Sequence, residues 1–322
     1  MHRRIGHKYA NVAGITGGIT PTPAVTRGLG VALLVSCLVL LAGGDPYGGK
    51  EALWHRYFET DPRLRQLYGT LDVPRDITER CEATRNLLAE IGGGVVTVEP
   101  PAGRPGEECA GNVIMTLAGS VPDAIVVSAH LDLAGAGEGA VDDFSGVVML
   151  GMLATYFRDR PHRHTLVFVA FSGEETGQTG SRRFIDESPL MPAAVTAVVN
   201  LECLGVTTPH SWAEGSSDAL EDILSGVGRK RGVDCGPISI VYVSADSVPF
   251  LAAGYPAITV EGIEPWQVGL LGTEWDRHSV VRGDLLDTTF GVLVDFVNAL
   301  DGLGTAPDPA NGRRTGAGPA SR

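Results

Sequence analysis

The chain has 322 residues, a formal net charge of −13, 43% hydrophobic and 20% charged residues. That is enough for one large domain or two small ones, and too apolar for global disorder. The negative balance argues against a nucleic-acid partner, since a basic surface able to hold a polyanion is missing.

Arg3, Arg4, Lys8 and Arg27 precede an apolar run from Leu29 to Ala42, and Gly43-Gly44-Asp45-Pro46 follows it. This pattern reads as a signal peptide or a membrane anchor over residues 1–49, with a buried core helix as the alternative. The remainder is then exported, or attached to a membrane through the apolar segment with its catalytic domain outside the cytoplasm. Five cysteines lack zinc-finger spacing and are too few for a disulfide scaffold; one or two disulfides among Cys81, Cys109, Cys203 and Cys235 fit an exported chain.

Residues 50–69 carry Trp54, Tyr57, Phe58, Leu64 and Leu67 at helical spacing. A second helix is expected over Asp76–Glu90, where Ile77, Cys81, Thr84, Leu87 and Leu88 share a face and Gly92-Gly93-Gly94 ends the run. Val95–Val98 and Asn112–Leu117 read as strands around a Pro/Gly/Glu-rich connection. Ala124–Ala129 is a continuous apolar strand of the kind buried on both faces, followed by helix over Phe144–Phe157 and strand over His164–Phe171. Helix over Arg182–Glu187, strand over Ala194–Leu201, helix over Ser217–Arg231 and strand over Ile238–Val243 come next. Helix over Ser247–Ala253, strand over Ala257–Val260 and a closing helix over Leu285–Leu300 complete the pattern. The alternation predicts an α/β fold with a mostly parallel central sheet flanked by helices on both faces, in one domain over residues 50–303. Residues 304–322 are rich in Pro, Gly, Ala and Arg and read as a disordered tail.

Short acidic and histidine-bearing segments punctuate the ends of these strands. His130-Leu131-Asp132 closes the first buried strand, and Asp142-Asp143 follows across a glycine-rich loop. Glu174-Glu175 follows the second buried strand, Glu202 ends the third, and His278 lies in a late loop. Each has a plain reading alone. They are a hydrogen-bonded histidine, a helix N-cap, a solvated helix start, a salt-bridged strand end and an exposed loop histidine. Together they gather imidazole and carboxylate at the carboxyl ends of parallel strands, where α/β sheets open a crevice and where zinc finds its ligand types.

The ordered set resembles the zinc-dependent exopeptidases of peptidase family 28. The resemblance rests on Val126-Val127-Ser128-Ala129-His130-Leu131-Asp132, Val141-Asp142-Asp143-Phe144-Ser145-Gly146, Phe171-Ser172-Gly173-Glu174-Glu175 and Val199-Asn200-Leu201-Glu202. Asp246-Ser247-Val248-Pro249-Phe250 and Gly254-Tyr255-Pro256-Ala257 are similar to its later segment, before His278. It implies a zinc exopeptidase fold and an aminopeptidase acting on the N-terminal residues of peptide substrates through two Zn2+ ions, with one ion as the alternative. His130 and Glu202 would hold one metal, Glu175 and His278 the other, and Asp142 would bridge. Asp132 would orient His130, Asp143 would support the bridge, and Glu174 would be general base and then acid. The family more often has aspartate where this chain has Glu202, and histidine where it has Ser247.

Two other functions compete. A glutaminyl-cyclase-like acyltransferase shares the implied fold, would use one zinc and would need a carboxylate network, here Glu174, Glu202 and Asp246. A receptor-like domain without catalysis is the third. Trp266, Trp275, Tyr255 and Glu261 are read as packing residues, with a place in the substrate pocket as the alternative.

Overall fold

Alternating side chains along two adjacent strands sort into two separate apolar clusters, and this sets the architecture. Strand β3 (Ala124–His130) sends Ile125, Val127 and Ala129 to one cluster and Ala124 and Val126 to the other. Strand β4 (Thr165–Phe171) divides Leu166, Phe168 and Ala170 from Val167, Val169 and Phe171 in the same way. A two-residue period with both sides apolar makes a sheet that must be covered on both faces.

The computed structural model describes residues 76–99, 111–241 and 243–303. The expected leader, the helix over 50–69, the connection at 100–110 and the tail lie outside these. An eight-stranded mixed sheet has the order β1-β2-β4-β3-β5-β8-β6-β7. Here β1 is Val95–Val98, β2 Val113–Leu117, β5 Val195–Glu202, β6 His210–Trp212, β7 Pro237–Ile238 and β8 Ala257–Glu261. The central strands β4, β3, β5 and β8 are mutually parallel, while β2 meets β4 and β6 meets β8 antiparallel.

The larger cluster packs helices α1 (Ile77–Ile91), α2 (Ser145–Arg158), α4 (Asp218–Arg231) and α6 (Gly283–Asp301) on one face. Helices α3 (Thr179–Glu187) and α5 (Ser247–Ala252) supply Phe184 and Phe250 to the smaller cluster on the other. Asp76 starts α1 as its N-cap, accepting from the amides of Thr78 (2.8 Å) and Glu79 (3.2 Å). One helical stretch among the described residues, 140–158, is long and apolar enough to cross a membrane, and 89% of that window is buried as core.

Most expected elements fall within two residues of the observed ones. The helix expected over Arg182–Glu187 begins three residues earlier, at Thr179, and the strand expected over Ile238–Val243 is reduced to Pro237–Ile238. Beyond it the chain leaves the sheet, with Ile240 buried and Val241 exposed. The unexpected strand β6 is three residues long, too short to show a period. Cys203 and Cys235 are free and buried, so neither is in a disulfide, and Cys81 is buried as well.

Candidate metal centre

The four parallel strands end side by side, and their last residues carry the chemistry. His130 ends β3, Glu202 ends β5 and Glu261 ends β8, with Glu202 and Glu261 direct register partners. After β4 the chain turns at Gly173, whose φ of +77° and 2.1 Å gap between an added Cβ and Thr179 Oγ1 leave room for glycine alone. The turn delivers Glu174 and Glu175.

Two carboxylates converge on one nitrogen of fully buried His130. Nε2 lies 2.9 Å from Asp142 Oδ1 and 3.3 Å from Glu202 Oε1. A neutral Nε2 carries at most one proton and serves one acceptor well. Donors about 2.0–2.1 Å from a tetrahedral zinc stand about 3.3 Å apart, close to the 2.9 and 3.3 Å by which the two oxygens stand from Nε2. The residues present therefore fit the ion. Among the described residues two sets bring three ligand atoms within 4.8 Å of one another: His130, Asp142 and Glu202, and His130, Glu174 and Glu175. His278 belongs to neither.

Burial alone would lower the His130 pKa, but the negative charge of Glu202 and the close carboxylates of Asp132, Asp142 and Glu202 raise it well above 6.5. That direction measures a surplus of negative charge that a divalent cation would balance. Glu202 has one methylene more than the aspartate common at this position, yet Oε1 reaches His130 while Oε2 accepts from Asn200 Nδ2 (3.1 Å). Ser247, where many members have histidine, accepts a hydrogen bond from Thr259 at 2.7 Å.

The supporting acids work mainly on backbone amides. Asp132 accepts from the amides of Glu174 (3.1 Å) and Glu175 (3.0 Å), and its 3.5 Å separation from His130 Nδ1 is long for a hydrogen bond. Burial would raise its pKa; the His130 interactions and the two amides lower it instead. Asp143, joined to Asp142 by a cis peptide, accepts from the amides of His130 (3.1 Å), Gly146 (3.3 Å) and Cys203 (3.0 Å). One fully buried carboxyl thus ties β3, α2 and the end of β5 together, and burial pushes its pKa well up. Glu174 is fully buried, and Gln178 Nε2 donates to its Oε1 at 3.2 Å.

Three further residues, not expected from sequence, hold the loop that carries Asp142. Fully buried Arg80 on α1 donates to the carbonyls of Leu131 (3.3 Å) and Gly139 (3.4 Å), and also to that of Glu138, while its guanidinium lies over the Phe144 ring. Asp276 accepts from the amides of Val141 (2.7 Å) and Asp142 (3.3 Å). Glu138 accepts from His278, at both Nδ1 and the backbone amide, each at 3.0 Å. Imidazole ligands commonly use one nitrogen this way, which fixes the ring and presents the other. Each contact joins residues 51 to 140 positions apart, so no local pattern announced them.

Burial, then the charge of Asp142, raises the Asp276 carboxyl to about 7. An acid whose pKa is higher folded than unfolded stabilises the fold when protonated and loses that contribution as pH rises through the folded value. The contribution of Asp276 to the stability of the metal-free chain should therefore fall between about pH 3.8 and about pH 7. Asp276→Asn should flatten that slope relative to the parent in chemical unfolding across the range; an unchanged slope refutes the assignment.

The chain is also similar to known proteins in sequence and in fold. Residues 112–284, more than half of the chain, match peptidase family M28. Aminopeptidase YwaD of Bacillus subtilis is 29% identical over 162 residues, covering 45% of this chain and 35% of that protein. A vacuolar membrane protease of Saccharomyces cerevisiae is 36% identical over 97 residues, covering 29% of this chain and 10% of that protein. The chain spans between 9% and 37% of the lengths of the curated relatives it matches. The fold is shared with LapB from Legionella pneumophila (TM-score 0.65, 17% identity, 80% of this chain and 77% of that one). It is also shared with a glutaminyl cyclase of Porphyromonas gingivalis (TM-score 0.60, 16% identity, 68% and 88%). The chain belongs to peptidase family M28.

Proposed function

We propose that the chain is a zinc-dependent aminopeptidase that removes N-terminal residues from peptides. The observation that carries this reading is the convergence of Asp142 and Glu202 on His130 Nε2 beside the Glu174-Glu175 turn. His130, Asp142 and Glu202 would hold one ion. Glu175 and His278 would hold a second, bridged to the first by Asp142, and the Glu138 contact supports His278 as a ligand. Zinc bound there would polarise the scissile carbonyl and acidify a water molecule.

The chain's own residues do the rest. Asp132 holds the amides of Glu174 and Glu175, so the base and the neighbouring ligand point from one turn with little freedom. Glu174 takes a proton from the attacking water at its carboxylate and returns it to the departing amine. Gln178 fixes one carboxylate oxygen, Oε1, during that transfer. Residues 1–49 would act as the leader or anchor of a domain over 50–303, and a relative named for the vacuolar membrane supports a place outside the cytosol.

A cyclase acting on N-terminal glutamine is the second reading, favoured by one observation. Asp246 is fully buried, accepts from Ser181 Oγ at 2.5 Å, and is held well above the usual carboxyl range by burial and then by the charge of Glu174. Such a buried acid pair would serve that chemistry. Metal content measured beside a panel of free and N-blocked aminoacyl substrates separates the readings. We expect zinc to copurify, chelation to abolish hydrolysis, and N-blocking to do the same. Ammonia release from N-terminal glutamine without peptide shortening would replace this reading with the cyclase.

A further inference from the structure

Two rows of side chains stand one above the other near the ends of the parallel strands. Ser128, Asn200 and Thr259 are register partners across β3, β5 and β8. They lie two residues before His130, Glu202 and Glu261, so the lower row shares a face with the upper one. Two residues earlier again, Val126, Val198 and Ala257 belong to the smaller apolar cluster. The lower row is fully buried yet polar, where packing alone would call for a further apolar row.

Its hydrogen bonds lead to a proposed metal ligand. Ser128 Oγ donates to Asn200 Oδ1 (2.9 Å), and Asn200 Nδ2 donates to Glu202 Oε2 (3.1 Å). An ionised carboxylate only accepts, so the Asn200 amide is oriented from both sides. Nδ2 also lies 3.5 Å from Thr259 Oγ1, which donates to Ser247 Oγ at the start of α5 (2.7 Å). The other carboxylate oxygen, Oε1, faces His130 Nε2 at 3.3 Å. Glutamate has one more rotatable bond than the aspartate common at this position, and nothing covalent distinguishes its two oxygens. We propose that Asn200 distinguishes them: it is a positioning residue that keeps Oε2 and reserves Oε1 for the ion. The longer side chain then binds through one oxygen and leaves coordination room for substrate. This rests on the zinc aminopeptidase reading and adds to it a residue that acts on the metal only through Glu202.

The test reads metal binding rather than turnover, with zinc affinity taken from competition against a chelator. Asn200→Leu should weaken one zinc equivalent by about 10–100-fold, the usual cost of losing the partner behind a ligand. Ser128→Ala combined with Asn200→Leu leaves no orphaned hydroxyl and should show the same loss, which covers a single variant that fails to fold. In a Glu202→Asp background Asn200→Leu should add little, because the two side chains act as a unit. Visible absorption of bound Co2+ should weaken in Asn200→Leu, since a freed carboxylate binds through both oxygens and raises the coordination number. Parental zinc affinity in the folded variants overturns the proposal. So does an unchanged Co2+ spectrum, or a full further loss in the Glu202→Asp background, which would make Asn200 a general support of the fold. A parent that binds zinc yet hydrolyses no aminoacyl substrate refutes the aminopeptidase reading and leaves the role of Asn200 standing. A parent that binds no zinc overturns both.

Discussion

Glu174→Gln should retain zinc and lose about 10²–10⁴-fold in kcat, the usual worth of a positioned general base. The amide keeps the volume and the contact with Gln178, whose Nε2 donates to Glu174 Oε1, but accepts no proton from water. The backbone amide of residue 174 still binds Asp132, so the turn and Glu175 stay in place. Metal analysis, far-ultraviolet circular dichroism and steady-state kinetics on one preparation check all three expectations. Full activity in the variant would remove Glu174 from the chemistry. Zinc loss would make it a ligand, in line with its place beside His130 and Glu175.

Asp143→Ala should be the most damaging single change to stability in the site. Its carboxyl serves three buried amides on three elements, and each buried donor left unpaired costs about 1–3 kcal/mol. The expected loss is several kcal/mol, enough to leave much of a marginally stable chain unfolded. Asp143→Asn should fall between. Its carbonyl oxygen can serve Gly146 and Cys203, while its NH2 faces the amide of His130 without an acceptor. Urea unfolding of the three proteins checks the order parent, Asn, Ala. An Ala variant as stable as the parent would show that the amides find other partners.

These two residues mark how much was legible in the sequence. Both were named beforehand, because the ordered set that resembles the peptidase family carries each beside a proposed ligand, Glu175 or Asp142. The parallel sheet was legible from pattern. Apolar runs such as Ile125–Val127 and Leu166–Phe171 are too rich in buried side chains on both faces to be edge strands. Short elements without a period stayed hidden, among them β6 and the early exit of the chain after Ile238. Arg80, Glu138 and Asp276 were hidden for another reason. Each acts on backbone groups or on a histidine far along the chain, and a side chain's service to a distant amide leaves no local spacing. Glu261 was read as packing, with the pocket as the alternative; the structure places it on the wall of a cavity that Asp142 and Glu202 also line. Tyr255 and Trp275 do pack, against the smaller and larger clusters, while Trp266 is 59% exposed.

Arg80 has a practical consequence for anyone who would cut this protein down. It lies on α1, outside the matched segment 112–284, yet it grips the loop between His130 and Asp142. At the opposite boundary Asp301, near the end of α6, accepts from the amides of Arg163 and His164 ahead of β4. A fragment trimmed to the recognisable peptidase stretch would carry every proposed ligand and still arrive unbraced at both ends. Excision, grafting or shuffling of this centre therefore has to take the flanking helices along.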